Sequence, residues 1–215
     1  MQGGRVTSLP GWSEAFFNNF DMAVIDAGLE WNQVEPEPGR FDFSLQTDGF
    51  VNRAKQYDMR IRMQALVFTG YFQDAPWLPA WLKNGTFSRD DAIRILENHI
   101  KTIMNHYKGK VDEWVVVNEP YIHPYRPHDV FNQFIGPEYV DLAFQAAKEA
   151  DPKAKLIFND AGNHIATGPT TTLDKSIITR LETESLVDKI GLQMHIDGSD
   201  PPWNRILFRR CKVMA

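Results

Sequence analysis

Short apolar runs alternate along the chain with longer amphipathic stretches. The apolar runs are too short for buried helices and are rich in branched residues, so they predict strands over residues 22–31, 60–68, 114–117, 155–160 and 189–197. The amphipathic stretches predict helices over residues 13–20, 48–59, 88–110, 137–152 and 173–185. Strands that alternate with helices indicate a parallel α/β architecture, either a closed barrel or an open doubly wound sheet. No glycine-rich phosphate loop follows the early strands, which disfavours a nucleotide-binding sheet.

The stretch DEWVVVNEPY, residues 112–121, carries the clearest functional signal. Its run of Trp114 and three valines lacks polar alternation, as expected for a strand covered on both faces. Pro120 cannot donate to a strand ladder and ends the run. Glu119 is therefore predicted at the carboxyl end of an interior strand, where α/β folds build their sites.

Three of the later predicted strands end in polar side chains of related kinds. They offer Asn118 with Glu119, Asn159 with Asp160, and Gln193 with His195. In a barrel these ends converge on one face, and such groups suit recognition of sugar hydroxyls together with proton transfer. Plainer interpretations stay open, because Asn159 and Asp160 also suit a turn and His195 also suits a hydrogen-bonded core position.

Composition and charge exclude several classes of protein. The chain has 215 residues, 43% hydrophobic and 24% charged, which suits a single domain spanning residues 1–215. A net charge of −5 without basic runs argues against nucleic-acid or membrane partners. The single cysteine, Cys211, excludes an internal disulfide. His123 and His128 match no strong metal motif, so we expect no metal and no cofactor.

Four stretches, taken in order, resemble glycoside hydrolase family 10, the endo-β-1,4-xylanases. They are WNQVEPEPGRFDF, PAWLKNG through WVVVNEP, GPEYVDLAFQAAKEADPKAKLIFND, and IGLQMHI. The resemblance runs from about residue 20 to about residue 200. The Asn-Glu pair alone is shared by many barrel hydrolases, whereas the ordered combination with Gly-Leu-Gln-Met-His is specific.

The resemblance implies a (β/α)8 TIM-barrel type of α/β fold and a retaining glycosidase that acts on a polysaccharide. It implies that Glu119 is the general acid/base and that Asn118 binds the substrate hydroxyl beside the scissile bond. It further implies that His195 orients the nucleophile and that Gln193 supports the site. Asn159 and Trp81, which lie in the matching stretches, are predicted as substrate-binding or supporting residues.

The sequence departs from the family pattern around the second and third strands. Where the family has glutamate, asparagine and lysine, this chain has Asp26, Ala27 and Glu30. Where the family has Arg-Gly-His and then Trp-His, it has Arg62, Met63 and Gln64, followed by Phe68 and Thr69. These departures leave open whether the glycan is xylan or another β-glycan such as mannan or galactan.

The family's nucleophile lies on a seventh strand, after the Gln-x-His strand, and the chain ends soon after His195. We therefore expect a truncated or frameshifted member with about five of the eight βα units and no nucleophile in the chain. Asp197 follows at the right end of its strand, but nothing in the family gives it that role. An inactive glycan-binding fragment is the alternative, and open sheet edges predict self-association. The family is typically secreted, whereas the start MQGGRVTSLPGW lacks the apolar core of a signal peptide, which leaves localisation unassigned.

Overall fold

The computed structural model describes residues 11–26, 28–43, 46–71, 75–120, 128–161 and 169–193. Its strands in chain order are β1 Met22–Ile25, β2 Arg60–Val67, β3 Gly70–Tyr71, β4 Glu113–Asn118, β5 His128–Asp129, β6 Lys155–Asp160 and β7 Lys189–Leu192. Five of these form one parallel sheet in the order β1-β2-β4-β6-β7, and β3 pairs with β5 in an antiparallel ribbon. The sheet is the half-barrel of an incomplete (β/α)8 fold, which confirms the predicted fold class.

The helices cover the outer face of the sheet. They are α1 Trp12–Asn19, α2 Trp31–Val34, α3 Gln46–Gln56, α4 Ala80–Lys83, α5 Arg89–His106, α6 Val130–Phe134, α7 Tyr139–Ala150 and α8 Pro169–Thr183. All five predicted helices are present, and the short α2, α4 and α6 were not predicted. Ser88 begins α5 as predicted, because its hydroxyl accepts the Asp91 N–H at 3.1 Å.

The strand predicted over 22–31 is too long, since β1 ends at Ile25. Gly28 has a φ of +84°, a left-handed conformation that an extended strand does not accommodate. A side chain at Gly28 would also overlap the Thr47 hydroxyl of α3. The chain therefore turns at this glycine, and Trp31 begins α2 instead of ending a strand.

The central strand β4 lies between β2 and β6, and its residues from Glu113 to Val117 are all buried. This confirms the interior parallel strand predicted from the apolar run. Trp114 faces the helices, where its ring lies 6.2 Å from that of Tyr107. Glu113 points to the opposite, inner face and contacts Arg62 of β2 and Lys189 of β7.

A bulge in β4 changes which side chains face inward. Val115 pairs with Ile157, but the next partner, Phe158, pairs with Val117, so Val116 is an extra residue in the ladder. Without it, strict alternation would direct Asn118 to the helix layer, since Glu113 faces inward. The bulge shifts this alternation, and Asn118 contacts Asn159 of β6 on the inner face.

The amino ends of the strands carry a charged group on the inner face. Glu113 accepts two hydrogen bonds from Arg62, at 2.6 and 2.8 Å, and one from Lys189. Burial alone would raise the pKa of Glu113, but the hydrogen bonds from Lys189 and Arg62 outweigh it and hold the pKa below its usual value. A paired carboxylate of this kind ties β2, β4 and β7 together at the end of the sheet away from Asn118.

A buried acid–imidazole pair joins α5 to the segment after α2. Glu35 lies 2.7 Å from Nδ1 of His99 and also accepts the Gly39 N–H at 2.9 Å. Trp31 stacks on the His99 ring, with centroids 3.5 Å apart and planes within 11°. Burial lowers the pKa of His99, and it outweighs the opposing effect of Glu35.

Among the described helices, none is both long and apolar enough to span a bilayer.

The lowered pKa of His99 predicts a specific loss of stability in mild acid. The unfolded chain takes up a proton near the ordinary value of 6.5, whereas the folded chain does not, so unfolding gains a proton and stability falls as the pH drops below 6.5. We expect the free energy of unfolding, from urea titrations, to fall between about pH 7 and pH 5, before the carboxylates of the unfolded chain titrate.

In the His99→Gln variant, the free energy of unfolding should no longer fall over this pH range, because an amide can donate to Glu35 without titrating. The His106→Gln variant, which keeps His99, should show the same fall as the wild type. An equal change of unfolding free energy with pH in the wild type and in His99→Gln would show that His99 does not cause the acid sensitivity.

Candidate functional site

The carboxyl ends of β4, β6 and β7 meet in one hydrogen-bonded cluster. Asn159 Nδ2 donates to Asn118 Oδ1 at 2.6 Å. Gln193 Nε2 donates to the same oxygen at 3.3 Å and to Glu119 Oε1 at 2.7 Å. Four polar residues predicted at three separate strand ends therefore contact one another, and we call these four the amide–carboxylate cluster.

The cluster fixes the orientation of the Asn118 amide. Its Oδ1 accepts N–H groups from both Asn159 and Gln193, so the carbonyl side of the amide is already used. The Nδ2 group is then the part of the side chain with which Asn118 can bind a ligand. Asn118 thus offers hydrogen-bond donors, although an asparagine can in general offer either donors or acceptors.

The backbone at Glu119 is held in an uncommon conformation. Its φ is +46°, in the left-handed region, which costs a residue with a side chain about 1 kcal/mol or more. The Glu119 N–H donates to the Asn159 carbonyl at 2.9 Å, and this bond helps to hold the turn. Strain of this kind tends to be kept where it places a functional side chain.

Gly191 is a residue of the site that sequence reasoning missed. A Cβ at this position would overlap the Asn159 side-chain oxygen, so the close approach of β7 to Asn159 requires glycine. The signal in the sequence was a glycine inside the apolar KIGLQ stretch, which often marks a close approach of backbone.

A cavity of about 210 Å³ lies beside the cluster and shares Asn118 with it. Its described lining comprises Asp26, Leu29, Glu30, Trp31, Gln64, Ala65, Leu66, Phe68, Trp77 and Asn118. The rings of Phe68 and Trp77 stack on each other, with centroids 5.0 Å apart and planes within 8°. The cavity therefore combines a flat aromatic wall with two carboxylates.

Several polar atoms of the cavity residues are buried without a partner in the described part of the chain. They are the indole N–H groups of Trp31 and Trp77 and Oδ1 of Asp26. Trp31 as a whole is only 3% exposed. Buried polar groups without a partner cost free energy, so such atoms mark a place where a polar ligand or water binds.

Trp77 was also missed by sequence reasoning, which assigned the neighbouring Trp81. Trp81 lines a different groove, of about 320 Å³, beside Phe87 and Arg94. Its indole N–H donates to the Glu35 carbonyl at 3.3 Å. The structure does not bring Trp81 together with the amide–carboxylate cluster, and its role in binding stays a prediction.

Other predicted residues cannot be placed. His195, Asp197 and His123 lie outside the described residues, as does the side chain of His128. Within the described ranges, no group of three or more histidine, cysteine, aspartate or glutamate side chains is arranged to hold a metal ion.

Comparison with known proteins identifies relatives along most of the chain. The sequence profile of Glycosyl hydrolase family 10 matches residues 5–209. Endo-1,4-beta-xylanase B of Thermotoga neapolitana is 32% identical over 200 residues, which is 91% of this chain and 56% of the relative. Endo-1,4-beta-xylanase A of Phanerodontia chrysosporium is 37% identical over 169 residues, which is 78% of this chain and 40% of the relative.

Solved structures agree with the sequence relatives. Xylanase 10B of Thermotoga petrophila RKU-1, determined in complex with xylobiose, superposes with a TM-score of 0.77 at 31% identity, covering 88% of this chain and 57% of that one. Native xylanase 10B of Thermotoga maritima gives a TM-score of 0.78 at 32% identity, and the superposition covers 89% of this chain and 58% of that one. The chain spans about half the length of the curated relatives it matches. With a profile match over almost its whole length and solved xylanase structures that superpose on most of it, the chain belongs to glycosyl hydrolase family 10.

Proposed function

We propose that the protein acts on xylan as part of a retaining endo-β-1,4-xylanase, with Glu119 as the general acid/base and residues 1–215 as one partial catalytic domain. The observation that carries this proposal is the Glu119 carboxylate, held by Gln193 among amides at the carboxyl ends of parallel strands. The names of the relatives and the xylobiose bound to one structural neighbour support a β-1,4-linked xylan as the substrate.

Gln193 donates to Oε1 of Glu119 and so helps to orient the carboxyl group. We propose that the Glu119 carboxyl group donates a proton to the glycosidic oxygen as the bond breaks. The carboxylate then takes a proton from the water that releases the sugar from the enzyme.

The amides of the cluster serve binding and positioning. Asn118 donates from Nδ2 to a substrate hydroxyl, while Asn159 and Gln193 hold its carbonyl oxygen. His195 is proposed to orient the nucleophile, and Trp81 to support the substrate from its separate groove, as the family resemblance implies.

Retention needs a second carboxylate about 5–5.5 Å from the acid/base. In the family, the nucleophile is carried by a strand that follows the Gln-x-His strand. The chain covers 56% of the Thermotoga neapolitana relative, and we propose that it does not carry that nucleophile. The isolated chain then binds glycan without cleaving it efficiently.

This proposal predicts that the isolated chain hydrolyses soluble xylan several orders of magnitude more slowly than a complete barrel, because the route through a covalent intermediate is missing. We expect xylo-oligosaccharides to bind weakly, with a dissociation constant on the order of 1 mM, in calorimetric titrations. Reducing-sugar assays on xylan, mannan and galactan measure turnover and separate the candidate substrates.

Glu149→Gln is the matched control for Glu119→Gln, because it makes the same substitution in the helix layer. There Glu149 pairs with Lys101. Robust turnover that is abolished in Glu119→Gln and preserved in Glu149→Gln would support Glu119 as the acid/base. It would also show that a second carboxylate acts as the nucleophile. Turnover that survives Glu119→Gln would refute the acid/base assignment, and a preference for mannan or galactan would refute xylan.

We expect the Gly191→Ala variant to bind xylo-oligosaccharides at least about fivefold more weakly. The new methyl group displaces Asn159, which releases the Asn118 carbonyl, and overpacking of this kind costs about 1–3 kcal/mol of stability. Gly49→Ala is the control, because Gly49 lies in α3 with nothing within 4 Å of the added Cβ and gains about 0.5–1 kcal/mol of helix propensity. Unchanged affinity in Gly191→Ala would show that the Asn159–Asn118 contact does not support binding.

We also propose that the chain self-associates through its sheet edges. Within the described sheet, β1 and β7 each pair on one side. Val24 of β1 is 38% exposed, which adds an apolar contact at that edge. Light scattering at high concentration should give dimers or larger species, and Val24→Lys should reduce them. A monomer at all concentrations would contradict this expectation.

A further inference from the structure

We propose that His99 is a positioning residue for glycan binding: the face of its imidazole fixes Trp31 in the wall of the cavity beside Asn118, and Glu35 holds the imidazole in place. This inference rests on the proposed function and names buried residues behind the wall as determinants of affinity. Neither His99 nor Glu35 is among the described lining residues, so the pair acts through Trp31 and not by touching a sugar.

Local structure does little to fix the Trp31 ring. Trp31 begins α2, a helix of only four residues whose amino end has no hydrogen bond from a capping side chain. A single helical turn is unstable by itself, because fixing its backbone costs more than its few hydrogen bonds contribute. Gly28, with its left-handed backbone, also separates α2 from β1. The position of Trp31 therefore depends on the residues that it packs against.

The closest parallel contact of Trp31 is with α5. The ring centroids of Trp31 and His99 are 3.5 Å apart and their planes lie within 11° of each other. The Phe131 ring is 5.5 Å from Trp31 and tilted by 38°, which is a looser contact. α5 is 18 residues long, and His99 and several of its other residues are fully buried, so the helix is a rigid base. The imidazole face therefore sets the depth and the tilt of the Trp31 ring.

Glu35 makes it possible to bury a polar ring at this place. Its side chain lies 2.7 Å from Nδ1 of His99 and is itself held by the Gly39 N–H at 2.9 Å. Burial holds the pKa of His99 below its ordinary value, so near pH 7 the ring is neutral and Nδ1, which faces Glu35, carries the proton. This bond satisfies the buried N–H at the ring edge and leaves the ring face to Trp31.

The support extends to the second indole of the cavity. Asn32 follows Trp31 in α2, and its backbone N–H donates to the Trp77 carbonyl at 2.9 Å. Trp77 stacks in turn on Phe68. A shift of α2 therefore moves the backbone of Trp77 together with the ring of Trp31, so His99 influences two residues of the wall through one short helix.

Two variants separate the ring face of His99 from its hydrogen bond. His99→Asn places an amide nitrogen near the position of Nδ1 and keeps a donor for Glu35, but it removes the ring. His99→Phe keeps a flat ring and leaves Glu35 without that donor. We expect His99→Asn to bind soluble xylan about fivefold more weakly in affinity electrophoresis. His99→Phe should bind within about twofold of the wild type, although urea titrations should show that it is less stable.

A double-mutant cycle tests whether His99 acts through Trp31. In a Trp31→Leu background, His99→Asn should weaken binding by less than about twofold further, because the ring that His99 positions is absent. Ile177→Ala is the control, since Ile177 is fully buried on α8, outside the described lining of the cavity. It should lower the free energy of unfolding and leave the affinity for xylan unchanged.

Each pattern of results has a separate meaning. If the wild type binds xylan and His99→Asn binds it equally well, the inference is overturned while the proposed function stands. The inference is also overturned if His99→Asn has its full effect in the Trp31→Leu background, or if Ile177→Ala weakens binding to a similar extent. A folded His99→Phe variant that binds as weakly as His99→Asn would contradict the role of the ring face, and the cycle decides the question if that variant does not fold. If the wild-type chain does not bind xylan, the proposed function fails and the inference fails with it.

Discussion

The structure depends on the burial of β4 on both faces of its sheet. β4 is hydrogen-bonded on one side to β2 and on the other to β6, with the helix layer above it, so the residues before Asn118 are withdrawn from water. Each buried valine or tryptophan contributes roughly 1.5–3 kcal/mol, and the sum holds the strand in one register. Because that register is fixed, the first polar residues after the run have fixed positions as well.

Hydrogen bonds then determine which groups the Asn118 side chain can offer to a ligand. The half-buried Asn118 side chain accepts hydrogen bonds at its carbonyl oxygen from Asn159 and Gln193. The cluster takes one amide from the end of each of three strands, so its hydrogen bonds depend on the relative positions of those strands. Gly191 belongs to the same arrangement, since its missing side chain is the space that Asn159 occupies.

The helix layer contributes to the site through the wall of the cavity. Trp31 lines the cavity with one part of its ring system and stacks on His99 with its face. His99 in turn is bound by Glu35. The acid–imidazole pair is thus a structural support whose effect reaches the cavity, because a change in the charge of His99 would alter the surface on which Trp31 rests.

The sequence by itself determined the α/β alternation, the interior strand at 114–117 and the polar residues at the strand ends, because these follow from short-range patterns of apolar and polar positions. The family resemblance added the barrel and the role expected of Glu119. The sequence did not determine the early end of β1, the assignment of Trp77 instead of Trp81 to the cavity, or the requirement for Gly191. Those depend on contacts between residues far apart in the chain, such as Phe68 with Trp77 and Gly191 with Asn159. The bulge at Val116 is the clearest case: alternation along β4 alone directs Asn118 to the helix layer, and only pairing with both neighbouring strands turns it to the inner face, where the cluster forms.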